Sequence, residues 1–221
     1  FRGYLAVPPS EHKQLLWEIL RENPEAKVLV EKPVMLNDSA FTWGLAADWK
    51  DNVIAGHTFL HEEGFKSLVK SLPKDGREIY ITGERFNRAG PCRTNMNNLQ
   101  DYGIHDIYLF YEVCRALYGE LYNYSVVEAR TIHSTKLSSL FELSYRGVHA
   151  RFETRAVSPE KVRMWRVNAE DYTHLWDYNV SKNVGKTPLQ IQWDILGSKN
   201  TDHTYHTIED AYRCQKIIEK L

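Results

Sequence analysis

An acid and an imidazole stand four positions apart in Asp101-Tyr102-Gly103-Ile104-His105, and Lys32 follows the apolar run Val28-Leu29-Val30 by two residues. These residue types suit the oxidation of a hydroxyl. A hydride leaves a carbinol carbon only as the hydroxyl proton is removed, which requires a base within hydrogen-bond reach. His105 fits that role because an imidazole titrates near neutrality. Asp101 is spaced to hold a substrate or to orient the imidazole. Lys32, past the C-terminal end of an expected parallel strand, sits where open α/β sheets bind their ligands. Its ammonium could stabilise negative charge developing on a reacting oxygen. Each residue has a plain structural alternative: a solvated strand-end lysine, an N-cap aspartate, a first-turn histidine.

The elements around these residues follow from apolar periodicity. Tyr4–Val7 reads as a buried strand stopped by Pro8-Pro9, and Ser10–Glu22 as an amphipathic helix carrying Leu15, Leu16, Ile19 and Leu20. Val28–Val30 completes a βαβ unit whose strands should be parallel, and Val53–Ala55 is a third strand of the same type. A helix follows over Glu62–Ser71. The pattern then turns to period two in Glu78–Thr82, and a polar loop runs from Asn87 to Gln100. After a helix over Ile104–Leu117 with Gly119 as its C-cap, strands are expected at Tyr122–Ala129, Ser139–Tyr145, Val148–Thr154, Val162–Asn168 and Thr173–Tyr178. Arg146-Gly147 is a hairpin signal. A last helix spans Thr207–Leu221. The expected fold class is α/β followed by α+β, the second part a mainly antiparallel open sheet with helices on one face. The expected division is 1–57, 58–206 and a C-terminal helix, 207–221, packed back on the first portion. The Tyr- and Trp-rich sheet suits sheet-to-sheet pairing of two copies, which predicts a homo-oligomer.

The totals narrow the classes. Lys and Arg number 28 against 29 Asp and Glu, so the 221-residue chain gives no electrostatic reason to expect nucleic acid or an anionic membrane. No apolar run approaches the roughly 18–20 residues that span a bilayer. Three scattered cysteines without a Cys-x-x-Cys pair indicate a reducing compartment, hence the cytoplasm, and no structural zinc site. His57 and His61, at i, i+4 spacing, could line a pocket or bind a metal, but no third ligand is evident and no metal is expected.

Three clusters carry a family resemblance. Leu5-Ala6-Val7-Pro8-Pro9-Ser10-Glu11-His12 is similar to the Pro-Pro-x-x-x-His turn after the fourth strand of the nucleotide-binding domain in the glucose-fructose oxidoreductase/inositol dehydrogenase family. Val28-Leu29-Val30-Glu31-Lys32-Pro33 resembles that family's Glu-Lys-Pro strand end. Asp101-Tyr102-Gly103-Ile104-His105-Asp106 resembles the start of the long helix in its substrate domain, with the second acid here directly after the histidine. The resemblance covers nearly the whole chain. It implies a partial Rossmann-like sheet, hydride transfer between NAD or NADP and a sugar, cyclitol or sugar nucleotide, and catalytic Lys32, Asp101 and His105. Cofactor contacts would fall to Pro8, Pro9, His12, Glu31 and Lys32. The polar stretch Arg85–Asn98, with Arg85, Arg88, Arg93 and Asn95, together with Asp101, suits a polyhydroxylated or phosphorylated substrate, although a solvated loop would have the same composition.

The sequence departs from the family at its beginning. The Gly-x-Gly-x-x-Gly turn that lets backbone N–H groups approach a pyrophosphate is missing, as are roughly sixty to seventy residues before Phe1, about half of a Rossmann domain. The chain should therefore touch only the nicotinamide half of a cofactor, and turnover requires that the other half be supplied. Two alternatives stay open. One is a non-catalytic binding or assembly module descended from the family. The other is a carbohydrate-binding site without redox chemistry.

Overall fold

Strand β1 (Arg2–Leu5), helix α1 (Pro9–Glu22) and strand β2 (Lys27–Glu31) form the expected βαβ unit, and β3 (Val53–Gly56) extends its sheet. The computed structural model describes residues 1–34, 48–88, 96–119, 126–179, 185–197 and 205–221. Arg2–Leu5 pairs in parallel with Lys27–Val30, and Val28–Glu31 with Val53–Gly56, giving the order β1-β2-β3. β1 starts and ends two residues earlier than the apolar run suggested, because the chain leaves the ladder after Leu5 to enter the proline turn. Pro8 caps α1 and Pro9 opens it, a position where proline's fixed φ fits and its missing N–H costs nothing. His12, Leu16 and Leu20 share the inward face at i, i+4, i+8 and are buried. Leu16 and Leu20 pack with Val28, Val30, Val53 and Ala55 and with Ile208 and Ala211.

One compact unit comprises Phe1–His61 with Gly185–Lys216. Its helix α4 (Pro188–Gly197) places Ile191, Ile195 and Leu196 against Leu29 and Ile54. This helix was not expected from the sequence, since Pro188 and polar Gln190 and Gln192 obscure its short apolar stripe. Gly56 is required where β3 meets β2, because a Cβ there would lie 2.8 Å from the Val30 carbonyl oxygen.

The other unit comprises Glu62–Val184 with Ile217–Leu221. Its six strands run in the order β5-β6-β7-β4-β8-β9, with β4 (Ile79–Phe86), β5 (Glu128–Ser134), β6 (Ser138–Tyr145), β7 (Val148–Arg155), β8 (Val162–Ala169) and β9 (Tyr172–Asp177). Only β4 and β7 pair in parallel; all other neighbours are antiparallel. The expected hairpin is present: Arg146 and Gly147 take φ of 47° and 80° between β6 and β7. Helix α2 (Glu63–Ser71) sets Phe65 against Trp176 at 5.3 Å between ring centroids. A π turn (Leu99–Gly103) leads into α3 (Ile104–Tyr118), whose residues from Asp106 to Cys114 are all buried. Helix α5 comprises Ile208–Ile218.

Two boundaries differ from expectation in ways that matter for the site. β4 continues to Phe86, four residues past the expected strand, because Ile79, Ile81, Gly83 and Arg85 all keep the buried side of the alternation. Gly83 is needed there, since a Cβ would lie 2.5 Å from the Phe152 ring. β5 runs through Ser134, beyond the expected Ala129. Among the described residues no helix is long and apolar enough to cross a membrane.

Candidate functional site

In the α/β unit the candidate residues lie at the C-terminal ends of β1 and β2, where the chain turns into loops. Lys32 follows β2, is 8% exposed, and precedes Pro33 through a cis peptide bond. Its backbone N–H donates to Glu31 Oε2 at 3.3 Å, while Tyr4 Oη donates to Glu31 Oε1 at 2.5 Å. Pro8 is exposed and Pro9 buried.

His12 ties these loops together. Its Nε2 lies 2.9 Å from the Val7 carbonyl, and its Nδ1 lies 2.9 Å from the Val34 carbonyl and 3.2 Å from that of Pro33. The ring is fully buried. Both nitrogens face backbone oxygens, so the imidazole holds the loop after β1 to the loop after Lys32. Its sequence spacing from the proline turn showed a histidine there, but not that its partners are carbonyls.

A second histidine arrangement adjoins Lys32 in the same unit. Gly56 pairs with Glu31 across the sheet, so His57 follows β3 beside the end of β2. His57 Nδ1 lies 2.7 Å from His206 Nδ1, and both rings are buried. At that distance one nitrogen donates and the other accepts. Burial pushes the His57 pKa well below its ordinary value, and the charges of His206, Lys32 and His61 add to the depression. His57 was visible in the sequence as a pocket candidate; its partner, 149 residues away, was not. Among the described residues no group of three or more His, Cys, Asp or Glu is placed to hold a metal ion.

In the sheet unit, Asp101 occupies the π turn and is 5% exposed, and His105 opens the first turn of α3. His105 Nδ1 lies 3.0 Å from Tyr108 Oη, one turn further along the helix. Asp106, next in sequence, points to the core. Its Oδ2 accepts from Arg85 Nε and its Oδ1 from Arg85 Nη2, each at 3.0 Å, and Oδ1 also accepts from Trp165 Nε1 at 2.8 Å. The pair is buried, with side-chain exposures of 5% and 1%. Arg85 therefore lies on β4 and grips a carboxylate, whereas the sequence suggested a loop residue.

Arg88 is exposed and donates from Nε to the Pro159 carbonyl at 3.3 Å. Arg93 and Asn95 lie outside the described residues. Arg163, not singled out from sequence, stands opposite Arg85 in the β4–β8 register.

The parallel strand ends, with Lys32 and the exposed Pro8, fit the nicotinamide end of a dinucleotide. Neither Pro8 nor Pro9 at the start of α1 has an N–H to offer an anion.

No protein-family model and no curated protein matches the sequence. Solved structures do. A protein from Magnetospirillum magnetotacticum superposes with a TM-score of 0.78 at 19% identity, over 98% of this chain and 78% of that one. The WlbA dehydrogenase from Thermus thermophilus, solved with NAD and UDP-GlcNAcA, gives 0.70 at 12% identity, over 98% and 70%. A myo-inositol dehydrogenase from Corynebacterium glutamicum gives 0.68 at 11%, over 99% and 77%. The α/β unit followed by the six-stranded sheet unit is thus the fold of the glucose-fructose oxidoreductase/inositol dehydrogenase type.

Proposed function

We propose that this chain is an NAD(P)-dependent oxidoreductase that transfers hydride to or from a hydroxyl-bearing carbon of a sugar, cyclitol or sugar nucleotide. The observation that carries this assignment is the joint presence of Lys32 at a parallel-strand end and of Asp101 and His105 at the start of α3, on a dehydrogenase fold. The nicotinamide supplies the hydride acceptor or donor. His105, whose Nδ1 lies 3.0 Å from Tyr108 Oη, acts as the general base that takes the hydroxyl proton. Asp101 positions the substrate, and Lys32 stabilises charge on the reacting oxygen. His12 keeps the two loops of the cofactor end in register, while Pro8, Pro9 and Glu31 frame it. Arg88, Arg93 and Asn95 contact substrate hydroxyls, and Arg85 contributes by holding Asp106 beside His105.

The remaining features follow from the same assignment. Turnover requires the phosphate-binding half of the nucleotide domain. Two copies pair through the open sheet face, where Tyr80, Ile132 and Leu175 are exposed large side chains on β4, β5 and β9. The setting is cytoplasmic, in keeping with Cys114 and Cys214 as buried cysteines outside any disulfide.

A second reading, a binding or assembly module, is favoured by one observation: the sequence carries no Gly-x-Gly-x-x-Gly turn after a strand. A screen of NAD- and NADP-dependent oxidation across sugars, cyclitols and sugar nucleotides separates the two. Activity reduced roughly 10²–10⁴-fold by His105→Ala supports the enzyme; a folded protein inactive on the whole panel leaves either half of an enzyme or the module.

A further inference from the structure

On one side of the three-stranded sheet, Ile191, Ile195 and Leu196 of α4 pack on Leu29 and Ile54. Tyr4 stands beside Leu29 in the register of β1 and β2, so its side chain lies on that same side. Arg2, two residues earlier on β1, ties the strand to the end of the helix, its Nη2 donating to the Gly197 carbonyl at 3.0 Å. Between the strands and α4 lies a cavity of about 550 Å³, within the range of small-molecule sites. Buried Leu29 lines it together with Tyr4, Leu189 and Trp193, which are 40%, 43% and 44% exposed. Leu189 and Trp193 are one turn apart on α4, as are Gln190 and Asp194. The helix thus turns one strip toward the cavity and another, Ile191 with Ile195, toward the sheet.

The polar groups of this lining are few and held in place. Thr187 and Gln190 form a capping box at the start of α4. Thr187 N–H and Oγ1 donate to Gln190 Oε1 at 2.8 and 3.0 Å, and Gln190 N–H donates to Thr187 Oγ1 at 3.3 Å. A backbone N–H can only donate, which settles the orientation of the amide: its oxygen is engaged, and Nε2 is the atom with N–H groups to offer. Lys186 and Asp194 pair with each other at 2.6 Å, so the charges in the lining compensate. Two aromatic rings, two leucines, one oriented amide donor and no net charge suit a neutral planar heterocycle with an acceptor nitrogen in its plane. Nucleobases stack on aromatic side chains in this way.

We propose that the cleft between β1 and α4 binds a purine base, stacked on its aromatic lining, with Gln190 Nε2 donating to a ring nitrogen. The inference goes beyond the oxidoreductase assignment and does not rest on it. The purified protein is titrated with adenosine and with indole, followed by saturation-transfer NMR of the ligand. Both are neutral bicyclic rings, but indole has no acceptor nitrogen. Saturable adenosine binding with a Kd on the order of 10⁻⁴ M is expected.

Trp193→Ala should weaken both ligands roughly ten- to hundredfold through lost stacking. Gln190→Leu should weaken adenosine about five- to tenfold and leave indole unchanged. The far-ultraviolet circular dichroism of each variant verifies its fold. If Trp193→Ala does not fold, Leu189→Glu, which sets a charge in the same lining, takes its place. No adenosine binding at millimolar concentration, or binding untouched by Trp193→Ala and Leu189→Glu, would overturn the proposal. Equal losses of adenosine and indole in Gln190→Leu would overturn the purine assignment. Self-association that Trp193→Ala abolishes, in a protein that binds neither ligand, would also overturn it and make the cleft an interface between copies. Turnover with NAD(P) in a protein that does not bind adenosine in this cleft would leave the redox assignment standing and remove this proposal alone.

Discussion

Asp106 accepts two hydrogen bonds from Arg85, each 3.0 Å long, from a position directly after His105 on α3. The candidate base and a buried ion pair thus share one helical turn. The strand-borne guanidinium fixes the rotation of α3 about its axis, and with it the direction in which His105 projects. Trp165, donating to the same carboxylate at 2.8 Å, adds a second anchor from β8.

Breaking this pair should be costly. Arg85→Met leaves a carboxylate in the core and is expected to destabilise the protein by about 3–5 kcal/mol, as is Asp106→Ala for the opposite charge. The double variant Arg85→Met/Asp106→Leu should lose much less than the sum, because no charge is left buried alone. Urea denaturation of the three variants checks this; additive losses would show that the pair is not coupled.

Stability should fall in mild acid, because His57 resists protonation in the folded state. Its folded pKa lies well below the ordinary value, so the unfolded chain binds the proton first as pH drops through about 6.5. Between that point and the folded pKa, the unfolded state carries more protons, and stability declines with falling pH. One group contributes at most about 1.4 kcal/mol per pH unit. The stability difference between wild type and His57→Gln, followed by urea midpoints from about pH 7.5 to about pH 5, should shrink across this window. A constant difference would contradict the account.

Much of the backbone was legible in the sequence, because proline stops, apolar runs and the Arg146-Gly147 hairpin are local signals. The βαβ unit, the long helix after Gly103 and the antiparallel strands follow from them. What stayed hidden depends on register. Arg85 looked like a loop residue because Gly83, Glu84 and Arg85 are poor strand formers, yet tertiary pairing with β7 and β8 carries β4 to Phe86. That Arg163 faces Arg85, or that His206 meets His57, is set by contacts between segments 76 residues or more apart. The candidate residues could be named from the sequence, while the hydrogen-bond partners that the structure gives them could not.

Tyr108 provides a test of orientation apart from charge. Removing its hydroxyl by Tyr108→Phe takes away the partner 3.0 Å from His105 Nδ1. If His105 is the base, kcat should fall about tenfold with KM little changed, and the acidic limb of the pH–rate profile should move. An unchanged profile with unaltered kcat would show that the contact is only structural.

The most direct test of the central claim is a titration of the protein with NADH and NADPH, following nicotinamide fluorescence, in wild type and Lys32→Ala. The account predicts a saturable change with one of the two cofactors, weakened about tenfold by the substitution, as expected for losing one charged contact. No saturation up to millimolar cofactor, from a folded and soluble sample, would contradict a self-sufficient dehydrogenase and leave either half of an enzyme or a binding module as the description of the chain.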